Sequence, residues 1–345
     1  MDYEKYMKIC IQLAKQAEGE VSPNPLVGCV ILDKDGNQIS TGFHKKYGEN
    51  HAERDALLKL NNGEERGGTL IVNLEPCSHD GKTPPCADLI IERGIKKVVI
   101  GMRDVNPLVA GNGIKKLKKA GIEVIEDVLK EDCQKLNEVF IKNMTQNKPF
   151  IAIKTATTLD GKIATASGSS KWITSEKARE EVKNIRKRYD AILTTSSTIL
   201  ADNPTMEHKK KLVLDRKLKT NLEANIYKSG EIYLFNDSLD MFEGGINFIK
   251  TPVKNEKLDM EFIIEKAWQL GIKSILVEAG GHFNGEIIKY ADKIYHFIAP
   301  KLTCDNLSLS CFDSKKINSI SECQNFKFSD IETFEPDILL TYYPC

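Results

Sequence analysis

The chain has 345 residues, 41% apolar and 28% charged, proportions ordinary for a soluble globular protein of roughly two domains. Forty-nine basic residues balance 49 acidic ones, so no overall field draws it to nucleic acid or to an anionic membrane. The start M-D-Y-E-K-Y-M-K-I-C lacks an apolar h-region, no window approaches a membrane span, and nine scattered cysteines make no disulfide framework, so a cytoplasmic chain with reduced thiols is expected.

Residues 4–18 have the spacing of an amphipathic helix. After the loop Ser22-Pro23-Asn24-Pro25, the run V-G-C-V-I-L (27–32) reads as a strand with Cys29 in the core. Asp35-Gly36-Asn37 reads as a hairpin turn. A helix is expected from about Ala52 to Leu60, then a strand over T-L-I-V-N-L (69–74), a helix through A-D-L-I-I-E-R ended by Gly94, and a strand at K-V-V-I. A helix over 113–120, with Lys115, Lys116, Lys118 and Lys119 on a solvated face, leads into I-E-V-I. Alternating helices and short apolar strands indicate a layered α/β domain.

The polar, proline-containing T-Q-N-K-P-F has the character of a linker and divides the chain into 1–147 and 148–345. A second alternating set follows. It comprises the strand F-I-A-I-K-T-A, a helix over 176–188, and strands at A-I-L-T-T, K-L-V-L-D, E-I-Y-L-F and I-N-F-I. A helix over 257–270 precedes the strand S-I-L-V-E, a Gly280-Gly281 turn, a helix from about Phe283, and the strand K-I-Y-H-F-I-A.

The first half concentrates metal-binding chemistry. His51-Ala52-Glu53 opens an expected helix, and Pro76-Cys77 follows an expected strand. Zinc accepts one imidazole and two thiolates and leaves a fourth position for water, a set that His51, Cys77 and Cys86 supply. Both cysteines are placed near expected helix starts, where the dipole favours a thiolate. Glu53 is suited to move protons between that water and a leaving amine, as in the H-x-E…P-C-x-x-C pattern of zinc deaminases. Here eight residues, S-H-D-G-K-T-P-P, separate the cysteines instead of two. The bland alternatives are a solvated helix start for His51 and two unrelated buried thiols. His79 is a competing ligand, but its place in the inserted loop favours a substrate-facing role.

Together, P-N-P-L-V-G-C-V (23–30), H-A-E (51–53), L-E-P-C-S-H-D-G-K-T-P-P-C (74–86) and D-V-N-P-L-V-A-G-N-G (104–113) resemble the bifunctional riboflavin-biosynthesis deaminase/reductase family. The long insertion between the cysteines separates that family from cytidine and tRNA-adenosine deaminases. The resemblance implies a cytidine-deaminase-like three-layer domain with one zinc ion per chain. It would deaminate 2,5-diamino-6-(5-phosphoribosylamino)pyrimidin-4(3H)-one at C2, with Glu53 shuttling protons. Asn24, His44, His79, Lys82 and Thr83 would contact the substrate, Lys82 as a cation for a phosphorylated ligand.

The second half carries K-T-A-T-T-L-D-G-K-I-A (154–164), S-G-S-S-K-W-I-T-S (167–175), A-I-L-T-T-S-S-T-I-L-A-D-N-P (191–204) and V-E-A-G-G-H-F-N-G (277–285). A strand–Gly–Gly–helix turn suits close approach to an anion, although it is not a Rossmann fingerprint. These motifs resemble the reductase domain of the same family, with a dihydrofolate-reductase-like fold. The resemblance implies hydride transfer from NADPH to the ribosyl group, giving a ribitylamino chain. Ala156, Trp172, Thr198, Asp202, Gly280, Gly281, His282, Phe283, Asn284, Gly285 and Glu286 would lie at the cofactor. Lys154, Ser170, Arg186, Met206 and Glu278 would lie at the substrate. Read from the residues alone, Trp172 as a core aromatic and Asp202 as a turn cap are the favoured readings. In A-D-N-P-T-M-E-H-K-K-K, Lys209 occupies the position where the family carries an arginine for the substrate phosphate. Lysine keeps the charge and loses the bidentate geometry.

Two rival readings stand beside this one. The first is a nucleic-acid deaminase with a binding module, disfavoured by the neutral charge. The second is a deaminase whose second domain only binds ligand or mediates assembly. The resemblance also implies self-association, as a dimer or tetramer.

Overall fold

Thr69–Leu74 forms a strand buried along its whole length, and the N-terminal elements are arranged around it. The computed structural model describes residues 1–61, 63–78, 84–106, 110–313 and 316–345. It separates into two units, Met1–Asn147 and Lys148–Cys345.

The first unit contains α1 (Tyr3–Lys15), β1 (Gly28–Leu32), β2 (Gln38–Phe43), α2 (Ala52–Leu57), β3 (Thr69–Leu74), α3 (Cys86–Glu92), β4 (Lys97–Met102), α4 (Asn112–Lys119), β5 (Glu123–Ile125), α5 (Lys130–Leu136) and α6 (Glu138–Gln146). The sheet order is β2-β1-β3-β4-β5. β1 runs antiparallel to β2 and β3, while β3, β4 and β5 are parallel. Every residue of β1 and β3 is buried, as expected when both faces of a sheet are covered.

Two glycines show how closely the covering helices approach. Gly28 and Gly42 point to opposite faces, because Gly42 pairs with Cys29 in the register. A Cβ on Gly28 would lie 2.0 Å from the Cys10 carbonyl oxygen of α1, and one on Gly42 would lie 2.4 Å from the Ala52 oxygen of α2. Helix α1 therefore packs on one face and α2 on the other, and the domain is a three-layer α/β structure.

The second unit contains β6 (Phe150–Thr158), β7 (Lys162–Ala164), α7 (Glu176–Lys187), β8 (Ala191–Thr195), α8 (Ser196–Asp202), β9 (Lys210–Leu214), β10 (Glu231–Asn236), β11 (Met241–Glu243), β12 (Ile246–Lys250), β13 (Val253–Lys254) and β14 (Lys257–Leu258). It continues with α9 (Met260–Gln269), β15 (Ser274–Val277), α10 (Gly281–Ile287), β16 (Lys293–Ala299), β17 (Leu309–Ser310), β18 (Phe326–Phe334) and β19 (Asp337–Pro344). A ten-stranded sheet runs β11-β12-β10-β9-β8-β15-β6-β16-β19-β18. Its centre, from β12 to β16, is parallel.

Strand alternation splits the core of this unit into two layers. Ile151, Ile153, Leu193, Leu212 and Phe235 join Ile263 and Ala267 of α9 on one side. Ile192, Val213, Ile232 and Leu234 join Ile199 of α8 on the other.

Several expected boundaries move. The first helix stops at Lys15, and the helix after His51 stops at Leu57. The helix expected at 257 starts at Met260, because Lys257–Leu258 is held in a hairpin and the Asp259 carboxylate caps Glu261 N–H at 3.1 Å. The helix expected from Phe283 starts two residues earlier, at Gly281. Helices α5 and α6 and the β18–β19 hairpin were not anticipated from the sequence.

Candidate active sites

In the first unit three elements converge on one point. His51 is the residue immediately before α2, Cys86 is the first residue of α3, and Cys77 lies in the loop after β3. The Nδ1 atom of His51 is 3.6 Å from Cys77 Sγ and 3.5 Å from Cys86 Sγ. All three ligand atoms lie within 4.8 Å of one another, close enough to share one ion, and one nitrogen with two sulfurs is a donor set that fits zinc. Cys77 does not start a helix in sequence, yet it receives one: the first N–H of α3, from Cys86, donates to its Sγ at 3.3 Å. That bond, the neighbouring Cys86 thiol and His51 together hold the Cys77 thiol well below its ordinary value. The partner thiol of Cys86 is pushed up by that neighbour and by burial. The two thiols are thus pushed in opposite directions, with Cys77 the one that favours the thiolate.

Glu53 lies in the first turn of α2 and is buried. Burial raises its carboxyl to about 7, and the Cys77 thiolate acts in the same sense. A dication at the sulfurs acts oppositely and favours the carboxylate. Beside this group, His44 Nδ1 is 3.0 Å from the Asn50 carbonyl and Nε2 is 3.1 Å from Asn24 Nδ2. Burial lowers the His44 pKa, so the ring is neutral near pH 7 and donates through Nδ1 while accepting the Asn24 amide at Nε2. Cys29 is fully buried in β1, as expected of a core residue. The lysine run of α4 faces outward, with Lys116 paired to Asp88 at 2.5 Å and Lys118 to Glu126 at 2.8 Å. His79, Lys82 and Thr83 lie outside the described residues.

In the second unit charged groups gather around Glu278, just past the carboxyl end of β15, the end of an open α/β sheet where ligands are held. Glu278 follows β15 and accepts Arg186 Nε at 2.6 Å and Nη2 at 3.0 Å. Lys154 Nζ, from β6, approaches the same carboxylate at 3.7 Å. Burial alone would raise the Glu278 carboxyl, but Arg186 and Lys154 outweigh it and hold it below its ordinary value. Lys154 is itself lowered by burial, with Arg186 adding to the effect.

The remaining expected residues fall into separate groups. The Ser170 hydroxyl donates to Asp202 Oδ1 at 2.9 Å, at the end of α8. Trp172 is 63% exposed and stacks on Arg179 at 4.4 Å, which excludes the core-aromatic reading. Thr198 is 3.3 Å from Thr195, hydroxyl to hydroxyl, and Ala156 lies half-buried in β6. Gly280 to Glu286 form the start and body of α10. There His282 Nε2 is 2.8 Å from Glu286 Oε1. Phe283 packs against the apolar core, and Gly285 lies inside the helix. Asn284 Nδ2 donates to Ala279 O and Cys311 O at 3.1 Å each, and its Oδ1 is buried without a partner among the described residues. Met206 departs from the expected substrate-facing position: it is buried with Ile199, Val213 and Ile226. Lys209 is exposed immediately before β9. Sequence reasoning missed Lys211, whose buried Nζ donates to Thr205 O at 2.9 Å and Ile226 O at 2.8 Å, anchoring the segment that leads to Lys209. A lysine among apolar strand residues was the available signal.

Comparison with known proteins agrees with both halves of this geometry. Residues 1–102 match a family model described as the cytidine and deoxycytidylate deaminase zinc-binding region, and residues 149–340 match the RibD C-terminal domain. A riboflavin biosynthesis protein RibD from Actinobacillus pleuropneumoniae is 39% identical, with 98% of this chain and 94% of the relative covered. The Escherichia coli protein of the same name is 34% identical, with 99% of each covered. Among solved structures, a Thermotoga maritima diaminohydroxyphosphoribosylaminopyrimidine deaminase/5-amino-6-(5-phosphoribosylamino)uracil reductase is 40% identical, with a TM-score of 0.88 over 99% of both chains.

Proposed function

Because the chain belongs to the family of bifunctional riboflavin-biosynthesis deaminase/reductases, we propose that residues 1–147 deaminate 2,5-diamino-6-(5-phosphoribosylamino)pyrimidin-4(3H)-one and that residues 148–345 reduce the product. The second step uses NADPH and gives 5-amino-6-(5-phosphoribitylamino)uracil. The observation that carries this reading is the convergence of His51, Cys77 and Cys86 beside the buried carboxyl of Glu53.

His51, Cys77 and Cys86 hold one zinc ion, which when bound makes water acidic enough to act as a nucleophile near neutral pH. Glu53, buried in the first turn of α2 two residues after His51, takes a proton at its carboxylate and returns it to the leaving amine. Asn24 and His44 orient the pyrimidine as one hydrogen-bonded unit. His79, Lys82 and Thr83 are assigned to the substrate by the family motif.

In the second unit, the Gly280-to-Glu286 turn, Ala156, Trp172, Thr198 and Asp202 would hold NADPH, which when bound would supply the hydride. Lys154 of β6, Arg186 of α7 and Glu278 after β15 would hold the ribosyl chain, with Ser170 also on the substrate and Lys209 towards its phosphate. Self-association as a homo-oligomer is proposed on the family resemblance, and a cytoplasmic location on the scattered, unpaired cysteines. Among the described residues, no helix is long and apolar enough to cross a membrane.

Ammonia release and NADPH oxidation, measured separately, test the two halves. Glu53→Gln should abolish ammonia release, retain zinc, and leave NADPH oxidation with the deaminated substrate intact. Ammonia release at the wild-type rate would remove Glu53 from the chemistry. No NADPH oxidation by the wild-type chain would favour a second unit that only binds ligand.

A further inference from the structure

Two asparagines from distant parts of the chain grip one short segment of main chain. Asn73, in β3, accepts Gly28 N–H at 2.7 Å and donates Nδ2 to the Leu26 carbonyl at 2.9 Å. Asn137, at the junction of α5 and α6, accepts Leu26 N–H at 2.8 Å and donates Nδ2 to the same carbonyl at 3.0 Å. Both side chains are buried, 0% and 2% exposed. The peptide groups of Leu26 therefore end on side-chain amides, which mimic a neighbouring strand by offering one donor and one acceptor.

The gripped segment leads directly into the deaminase site. Asn24 is two residues before Leu26, and its amide meets His44 Nε2 at 3.1 Å. The main-chain N–H of His44 donates to Val27 O at 3.0 Å, one residue after Leu26. Leu26 thus lies between the two anchors of the Asn24–His44 pair. The main chain of Asn137 is already engaged, its N–H with Cys133 O at 3.2 Å and its carbonyl with Ile141 N at 2.9 Å. All four bonds given for the two side-chain amides go to the 26–28 segment.

We propose that Asn137 is a positioning residue for deamination: it fixes the main chain at Leu26 so that Asn24 and His44 reach the pyrimidine together. The inference rests on the reading that Asn24 contacts the substrate. An aspartate at 137 would keep the acceptor for Leu26 N–H and lose the donor, while an alanine would leave that buried N–H without a partner.

The test is steady-state deaminase kinetics on the zinc-loaded full chain, for wild type, Asn137→Ala, Asn137→Asp, Asn24→Ala and the Asn24→Ala/Asn137→Ala double variant. Asn137→Ala should raise KM about tenfold with kcat within about threefold. Zinc content and the reductase rate should be unchanged, and Asn137→Asp should give a smaller rise. The double variant should fall well short of the product of the two single effects, because Asn137 acts in large part through Asn24. A rise in Asn24→Ala with an unchanged KM in Asn137→Ala, or multiplicative effects in the double variant, overturns the positioning role. An unchanged KM in Asn24→Ala overturns the assignment of Asn24 itself. Should Asn137→Ala not accumulate as folded protein, Asn137→Asp carries the test, and an unchanged KM there overturns the proposal.

Discussion

The backbone N–H of Cys86 points at the sulfur of Cys77, 3.3 Å away, so two thiols nine positions apart in the chain face one point with a helix start behind them. The amide favours a thiolate at Cys77, burial and the neighbouring sulfur favour the thiol at Cys86, and ligating zinc requires both sulfurs without their protons. Zinc uptake should therefore release protons into a weakly buffered solution near pH 8. Cys86→Ala should reduce that release and weaken zinc retention against a chelator by about two orders of magnitude or more. Equal retention in wild type and variant would remove Cys86 from the ligand set.

The placement of His51 and Glu53 depends on how closely α2 lies on β2. A Cβ at Gly42 would meet Ala52 O at 2.4 Å and Ala56 N at 2.5 Å, and both obstacles are backbone, so the helix must move. A shift on the order of 1 Å at reacting groups costs about a hundredfold in rate. Gly42→Ala should lower deaminase kcat by roughly that factor and leave reductase turnover near wild type. A deaminase kcat within about twofold of wild type would show that α2 can be displaced without moving the reacting groups.

The parts of this chain that sequence reading recovers are those whose signal is local. The run T-L-I-V-N-L, aliphatic at four of its six positions and lying between Gly68 and Glu75, becomes β3 over the same six positions. His51, Cys77 and Cys86 announce themselves by residue type, and the fold brings them within ligand distance. The C-terminal hairpin was missed because its first strand breaks its own alternation: the pairing slips between Phe328 and Asp330, and Phe328 and Ile331 stay exposed. Asn137 was missed for a different reason. Its partners lie 111 positions away, and a single buried amide has no periodicity to reveal it. Met206 lies in a segment matched by family motif, and only the packed α8–β9 layer shows that its side chain belongs to the core.

The Glu278 carboxylate links Arg186 and Lys154, and this makes stability depend on acid. Its carboxyl is held below the ordinary value in the folded state, with the two cations outweighing burial. The folded state therefore binds this proton less readily than the unfolded chain. The contribution is complete above the unfolded pKa of about 4.3 and is lost as pH falls through the lower folded value. Glu278→Gln leaves two buried cations without a counter-charge, a loss on the order of 3 kcal/mol at neutral pH. Thermal melts should show a large difference in Tm between wild type and variant at pH 7 that narrows steadily below pH 4. A difference independent of pH would mean that Glu278 contributes through shape alone. Ammonia release by the variant should persist, since the deaminase residues lie in the other unit.

Lys209 stands at the end of a segment that is firmly held. Lys211 anchors Thr205 from below, the Asn203 side chain accepts Asn225 N–H at 2.9 Å, and the Lys209 carbonyl accepts Glu231 N–H at 2.8 Å. The backbone at this position is therefore fixed, and the choice of cation governs how an anion is met. An ammonium offers a point charge, whereas a guanidinium offers two parallel donors to a phosphate. Lys209→Arg should lower the reductase KM for the phosphorylated substrate by roughly three- to tenfold with little change in kcat, because the phosphate is remote from the carbon that receives hydride. Lys209→Ala should raise KM by a similar or larger factor, and added salt should shrink both effects. Should neither variant change KM, the phosphate is held elsewhere, and the exposed position of Lys209 would then be that of an ordinary surface lysine.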